Sequence, residues 1–434
     1  MRDLTITNLP IAAFAPHPRN PRTHSKKQIK QIANSIQEFG FIGTILVDTN
    51  NRIIAGHGRV EAAKLLKMES LPALCVSHLS DAQILAYVIA DNKLALNAGW
   101  DGTILMGNIQ ELRLDPAFDV TVTGYETAEL DIMGANGNPT LEAVDEIPPV
   151  GTGAAVTGPG DLWRIGNHLV LCGDATDKGA YETLMSGELA QMVFTDPPYN
   201  VPISGHVTGL GKVQHSEFAM ASGEMSEAEF TSFLGKVCAH LADSSVDGSL
   251  HYLCMDWRHM GELLAAGKEP YSELKNLCVW TKTNAGMGSL YRSQHELVFI
   301  FKKGVAEHVN NVQLGAHGRN RTNVWSYAGV NSFGASRDSD LAMHPTVKPV
   351  ALVADAIRDV TNHNDIVLDA FGGSGTTLIA AEQTGRRGRA IEISPQYVDT
   401  IVRRLSKVMN TKAILVGSND TFESIEAWKK SGLD

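Results

Sequence analysis

The chain has 434 residues, 43% of them hydrophobic and 20% charged, enough for two or three domains with apolar cores. No apolar run reaches the ~20 residues of a membrane helix, and the N-terminus lacks the apolar core of a signal peptide. Five scattered cysteines form no Cys-x-x-Cys pair, which argues against a zinc or disulfide framework and for a reducing cytoplasm. The net charge of −11 is unevenly spread. Residues 81–150 carry 12 acids against 2 bases, whereas residues 1–30 carry 6 bases against 1 acid and residues 280–350 carry 8 against 4. Two basic segments in an acidic chain leave phosphate contact open.

In chain order, Ser25 predicts the cap of a helix whose Ile29, Ile32, Ile36 and Phe39 share one face and which Gly40 stops. Short strands are expected at 44–48 and 52–55, with a turn at Asn50-Asn51. Gly56-His57-Gly58-Arg59 then opens a second helix. A glycine turn at a helix start suits a phosphate, and it suits simple capping equally well. Residues 81–133 read as an acidic helical extension. Residues 134–160, rich in Gly, Pro and Asn, read as a linker.

Beyond the linker, strands are expected at 168–173, 190–195, 249–255, 276–281, 295–302, 365–370 and 387–393, with helices between most of them. This alternation predicts a doubly wound, mostly parallel seven-stranded α/β sheet. The fourth and fifth strands lack an intervening helix and are expected as an antiparallel pair at one edge. Ser226 and Glu229 form a capping-box pattern, and Ser394-Pro395 opens what reads as the last helix.

Two stretches carry chemistry. Asp196-Pro197-Pro198-Tyr199 follows the apolar run Gln191–Phe194. The prolines remove N–H donors and leave carbonyls free. An acid and free acceptors beside an aromatic plate suit a planar, amine-bearing ring. A strand-ending turn is the simpler reading of the four residues alone. Further on, Asp369-Ala370-Phe371-Gly372-Gly373-Ser374-Gly375-Thr376 reads as strand, glycine turn and helix start, and Glu392 follows Gly375 by 17 residues. Glycines admit a ligand close to the backbone, and a carboxylate at Glu392 can accept ribose hydroxyls. The turn is neither Gly-x-Gly-x-x-Gly nor a P-loop. A nucleoside without a pyrophosphate, such as S-adenosylmethionine, fits it better than NAD or ATP, while tight strand–helix packing also explains the glycines.

With both stretches in view, residues 159–410 resemble the amino-group DNA methyltransferases, N6-adenine or N4-cytosine, of the permuted beta group, in which the catalytic motif precedes the cofactor motif. The resemblance implies S-adenosylmethionine as methyl donor. It implies catalytic roles for Asp196, Pro197, Pro198 and Tyr199. It also implies cofactor roles for Asp174, Thr346, Lys348, Asp369, Phe371, Gly373, Gly375, Thr376 and Glu392, with Thr346 and Lys348 lying in His344-Pro345-Thr346-Val347-Lys348-Pro349. Arg292 and His295, in a segment resembling the one that flanks the target base, are expected near double-stranded DNA, as are Arg319 and Arg321 in a recognition segment at about 303–343. No metal is expected. An acid at position 196 favours adenine over cytosine, and the lack of Pro-Cys sets C5-cytosine methylation aside.

Residues 5–80 resemble the ParB-like N-terminal domain through Asn20-Pro21-Arg22, Ser35–Gly40 and Gly56–Ala62. The family's Gly-Glu-Arg-Arg appears here as Gly56-His57-Gly58-Arg59, so of its polar side chains only Arg59 remains for phosphate or DNA. The expected layout is a small α+β ParB-like domain at 1–80, the extension at 81–133, the linker, a methyltransferase domain at 161–417 and a tail at 418–434. A ParB-like binding protein with an inactive methyltransferase part is the competing class. A homodimer and a nucleotide on the first domain stay open.

Overall fold

The computed structural model describes residues 5–112, 115, 118–135, 154–201, 223–282, 285, 290–312, 320–327 and 348–431. They fall into two compact units, Met1–Gly134 and Ala135–Asp434. Most of the expected linker lies outside the described residues.

The first unit begins with β1 (Ile6–Pro10), α1 (Lys26–Phe39), β2 (Ile45–Val47), β3 (Ile53–Ala55), α2 (His57–Leu65) and β4 (Ser70–Cys75). The Ser25 hydroxyl accepts from Gln28 N at the start of α1, as its position predicts, and Gly40 closes the helix at φ 78°. The sheet order is β1-β4-β2-β3, with only β4 and β2 parallel. Its core is Phe14, Ile45, Val47, Ile53, Val60, Ala63, Leu71 and Ala73. Then come α3 (Asp81–Ala95), α4 (Gly102–Leu112) and α5 (Thr127–Ala135). The acidic helices are not a free extension. Ile84 and Val88 of α3 pack on Ile54, and Gln31 of α1 donates to the Gly124 carbonyl at 3.3 Å.

The second unit holds β5 (Leu162–Ile165), β6 (His168–Cys172), α6 (Lys178–Met185), β7 (Ala190–Thr195), α7 (Glu227–Asp243), β8 (Ser245–Met255), α8 (Met260–Gly267), β9 (Glu273–Thr281), β10 (His295–Lys302) and β11 (Val324–Ser326). It continues with α9 (Val350–Val360), β12 (Ile366–Asp369), α10 (Thr376–Gln383), β13 (Arg387–Glu392), α11 (Pro395–Met409), β14 (Ala413–Leu415) and α12 (Phe422–Lys430). One sheet runs β11-β9-β10-β8-β7-β12-β13-β6-β5-β14.

The seven expected strands form its unbroken middle, and β8, β7, β12, β13 and β6 are mutually parallel. The sheet has ten strands rather than seven. β11, β5 and β14 extend it at both ends, so the antiparallel pair β9–β10 is not its edge. Strands of three or four residues are too short to show a period.

Side chains alternate between two cores. Met192 and Phe194 of β7 join the layer under α9, α10, α11 and α12, whereas Val193 joins the layer under α6, α7 and α8. The segment expected as a tail carries α12, whose Phe422 is buried 5.3 Å from the Trp163 ring. It is part of the domain, and α11 is therefore not the last helix.

Candidate active site

β7 and β12 are neighbours, yet the helices that follow them, α7 and α10, cover opposite faces. A parallel sheet opens a crevice at such a switch point, beyond the carboxyl ends of its strands. One hydrogen bond ties the two ends together: Thr195 Oγ1 donates to Asp369 Oδ1 at 2.8 Å. Asp369 accepts on its other oxygen from Thr377 Oγ1 at 2.7 Å, and on Oδ1 also from Phe371 N at 3.0 Å. Burial pushes its carboxyl up to about 7. Both its oxygens are engaged and it is only 4% exposed, so Asp369 ties the end of β12 to β7 and to the start of α10.

The glycines of that turn divide by task. A Cβ on Gly375 or Gly372 would meet Ile401 of α11 at 3.1 Å, so these two permit close helix packing. A Cβ on Gly373 would meet nothing nearer than the Phe371 carbonyl oxygen at 3.9 Å, so the turn is open there. Gly373 N donates to Glu392 Oε2 at 2.8 Å, and Ser394 N donates to Oε1 at 2.9 Å. Each Glu392 oxygen keeps a lone pair for a further donor. Burial raises this carboxyl to about 7. Gly173 N donates to the Glu392 carbonyl, which brings the Asp174 turn beside it. Asp174 Oδ1 accepts from Thr176 N and Oγ1 at 2.7 and 2.9 Å. Thr376 lies within 3.4 Å of Arg404 Nη1, a buried cation that also donates to the Ser374 carbonyl. Phe371 is half-buried beside Phe233.

Directly after β7 lies a charged cluster. Tyr199 Oη donates to Asp196 Oδ1 at 2.5 Å. Lys348 Nζ donates to Asp196 Oδ2 at 2.6 Å and pairs with Glu296 Oε2 at 2.8 Å. Lys282 holds the other Glu296 oxygen and sits 4.7 Å over the Trp280 ring. Burial raises the Asp196 carboxyl, Lys348 opposes and Glu296 adds to the rise. Burial also works against charge on Glu296, but Lys348 and Lys282 outweigh it and hold this carboxyl down at about 2. Lys348 stays charged because Asp196 and Glu296 more than offset its burial. Pro197 is buried and Pro198 half-buried. Asn200, at φ 53°, anchors the motif by accepting from Gly223 N and Met225 N and donating to the Met225 carbonyl.

The structure therefore brings Asp196, Tyr199 and Lys348 together, and sets Glu392, Gly373 and Asp174 along the same crevice. Lys348 Nζ contacts Asp196, Tyr199 and Glu296. Glu296, at the end of the segment expected to flank the target base, and Asn200, after the catalytic motif, are not among the expected site residues. The signal for Glu296 is a lone acid directly ahead of the apolar run Leu297–Phe301, on the opposite strand face from His295. His295 is half-buried at the start of β10.

Two of the residues expected near DNA, Arg292 and Arg321, bond within the protein. Arg292 is exposed and donates to the Ala285 carbonyl. Arg321 is corrected: it donates to Asp359 at 2.9 Å, to Asp355 at 3.1 Å and to Tyr327 Oη at 2.8 Å, so it fastens its segment to α9. Its two acidic partners lie 34 and 38 residues away and leave no local signal. In the first unit, Arg59 lines a recess of about 540 Å³ with Gln28, Ser35, Phe41 and Gly124. Arg319, Thr346 and His344 lie outside the described residues.

A glycine turn beside an acid–proline–proline–tyrosine rim, at the switch point of a parallel sheet, is the arrangement expected of an amino-methyltransferase. Comparison with known proteins agrees. Residues 190–403 match the DNA methylase family of N6 and N4 enzymes, and residues 2–93 match the ParB N-terminal domain. The ParB-like nuclease domain-containing protein YnaK of Escherichia coli K12 is 45% identical over 80 residues, 18% of this chain and 92% of YnaK. The type II methyltransferase M2.DpnII of Streptococcus pneumoniae is 26% identical over 254 residues, 55% of this chain and 90% of the relative. The solved PvuII DNA methyltransferase, described as cytosine-N4-specific, matches with 17% identity and a TM-score of 0.43, covering 60% of this chain and 91% of that one. Residues 190–403 are thus a DNA methylase domain of the N6/N4 kind, with S-adenosylmethionine as its cofactor, and the chain carries a ParB N-terminal domain. The open face of Gly373 and the two spare acceptors of Glu392 fit that cofactor.

Proposed function

We propose that the chain methylates the exocyclic N6 of adenine in double-stranded DNA. The observation that carries this reading is Asp196, an acid at the crevice mouth, tied through Thr195 to the turn that would hold the cofactor. Adenine is favoured because the resembling cytosine enzymes more often carry serine at this position.

An exocyclic amine is a weak nucleophile, since its lone pair is delocalised into the ring. Asp196 and the Pro197 carbonyl accept its two hydrogens and favour a tetrahedral nitrogen. S-adenosylmethionine, when bound, supplies an electrophilic methyl on a sulfonium. The methyl group it would supply goes to the amine nitrogen, and Asp196, whose carboxyl burial raises, takes the amine proton that the transfer releases. Glu392 takes the ribose hydroxyls, with Gly373 giving room and Asp174 facing the adenine ring of the cofactor. Tyr199 stacks on a base extruded from the duplex. Most of the rate gain comes from positioning and electrostatics.

The test incubates unmethylated duplex DNA with S-adenosylmethionine and hydrolyses it for nucleoside mass spectrometry. N6-methyladenine is the expected product, and it should vanish in Asp196→Ala while cofactor binding persists. N4-methylcytosine alone would overturn the adenine assignment. No methylated nucleoside on any DNA would favour the binding-protein class.

A further inference from the structure

The ammonium of Lys348 is shared. It lies 2.6 Å from Asp196 Oδ2, 2.8 Å from Glu296 Oε2 and 3.3 Å from Tyr199 Oη, which uses its three donors. The side chains of Lys348 and Glu296 are 5% and 10% exposed, whereas that of Asp196 is 25% exposed. The lysine thus approaches Asp196 from the protein side, and only the open side is left for a substrate. A carboxylate gripped by a buried ammonium is a poorer acceptor for an amine, so the lysine and the target amine compete for Asp196.

We infer that Glu296 is a positioning residue for methyl transfer, acting through Lys348: it shares the ammonium that Asp196 would otherwise hold alone, so that the carboxylate can take the target amine. The inference rests on Asp196 being the catalytic acid. Lys282 modulates the pull. It occupies the second oxygen of Glu296 and so weakens the hold of Glu296 on Lys348. Trp280 lies beneath both cations, with Lys348 Nζ at 5.8 Å and Lys282 Nζ at 4.7 Å from its ring.

The charged and titratable groups facing Asp196 are Lys348 ahead of α9, Glu296 on β10, Tyr199 on its own loop, Cys254 on β8 and Asp369 at the end of β12. Changing Glu296 or Lys282 leaves the other groups in place and moves the lysine in opposite senses. With Glu296→Gln, Lys348 commits to Asp196 and a nearby negative charge is lost, so Asp196 ionises more readily and accepts the amine less well. With Lys282→Met, Glu296 holds Lys348 more firmly and Asp196 ionises less readily.

The experiment measures single-turnover methylation of duplex DNA by the full chain against pH, at saturating S-adenosylmethionine. Wild type, Glu296→Gln, Glu296→Asp, Lys282→Met and Asp196→Ala are compared. Glu296→Gln should lower the plateau rate about 100-fold and move the acid limb down by roughly one pH unit, with cofactor affinity unchanged. Glu296→Asp should recover part of the rate. Lys282→Met should move the acid limb up. A cluster that only fastened β10 to the segment before α9 would lower stability in each variant and leave the limb in place. Unchanged limbs, or limbs moving the same way, overturn the inference. If Glu296→Gln does not fold, the upward shift in Lys282→Met decides alone, since Lys282 is partly exposed. Activity in Asp196→Ala overturns the catalytic reading itself. An inactive Asp196→Ala without the opposed shifts overturns only the role of Glu296.

Discussion

Glu392 and Asp369 are buried acids that burial carries to about 7 from ordinary values of 4.5 and 3.8. A raised folded value means that the folded protein holds these protons more tightly than the unfolded chain does. Their contribution to stability is complete below about pH 4 and is lost as pH rises through about 7. Urea denaturation of the ligand-free protein between pH 5 and 8 should show this slope, shallower in Glu392→Gln. The ligand works against it, because hydroxyl donors favour the ionised acceptor. Affinity for S-adenosylmethionine should therefore rise with pH through about 7. Calorimetric titration should find Glu392→Gln about tenfold weaker and nearly independent of pH. Asp369 shows where local reading stops. Its place at a strand end before glycines is legible, but the partner that ties it to β7, Thr195, is 174 residues away. Thr195→Val should leave that carboxylate oxygen short of a donor and cost about 1–3 kcal/mol in thermal or urea unfolding.

Elements were legible in proportion to their length and to the chemistry at their ends. Ser226 and Glu229 form the capping box that their spacing promises, with Ser226 Oγ accepting from Glu229 N and Glu229 Oε2 accepting from Ser226 N. Ser226→Ala should cost about 1 kcal/mol. Three-residue β14 and β11 had no period to reveal them. Helix α12 was hidden for another reason: its buried anchor, Phe422, meets Trp163, far back in the chain. Phe422→Ala should destabilise the second unit by about 3 kcal/mol, read from its denaturant midpoint. At Gly375, φ is 84° and a Cβ would press on Ile401 at 3.1 Å. Gly375→Ala should thus cost about 1–2 kcal/mol and loosen α11 against the turn.

At the scale of the whole molecule, each unit has its own apolar core. Differential scanning calorimetry of the full chain should resolve two transitions, and S-adenosylmethionine should raise only the one belonging to the methyltransferase unit. Strand–helix alternation made the seven central strands readable before any coordinates. The spatial order of the strands was not readable, because a parallel sheet records neighbours by packing, not by sequence distance.

That order has a consequence for how the protein is made. β7 lies between β8 and β12, and β12 begins 171 residues after β7 ends, at Ile366 against Thr195. At ordinary elongation rates β7 waits roughly 10 to 30 seconds for its second neighbour. Through that interval the nascent chain carries an open, apolar strand edge in the middle of its future sheet. The keystone of the reaction crevice is also the keystone of biosynthesis. Translation halted before Ile366 should leave a fragment that depends on chaperones to stay dispersed.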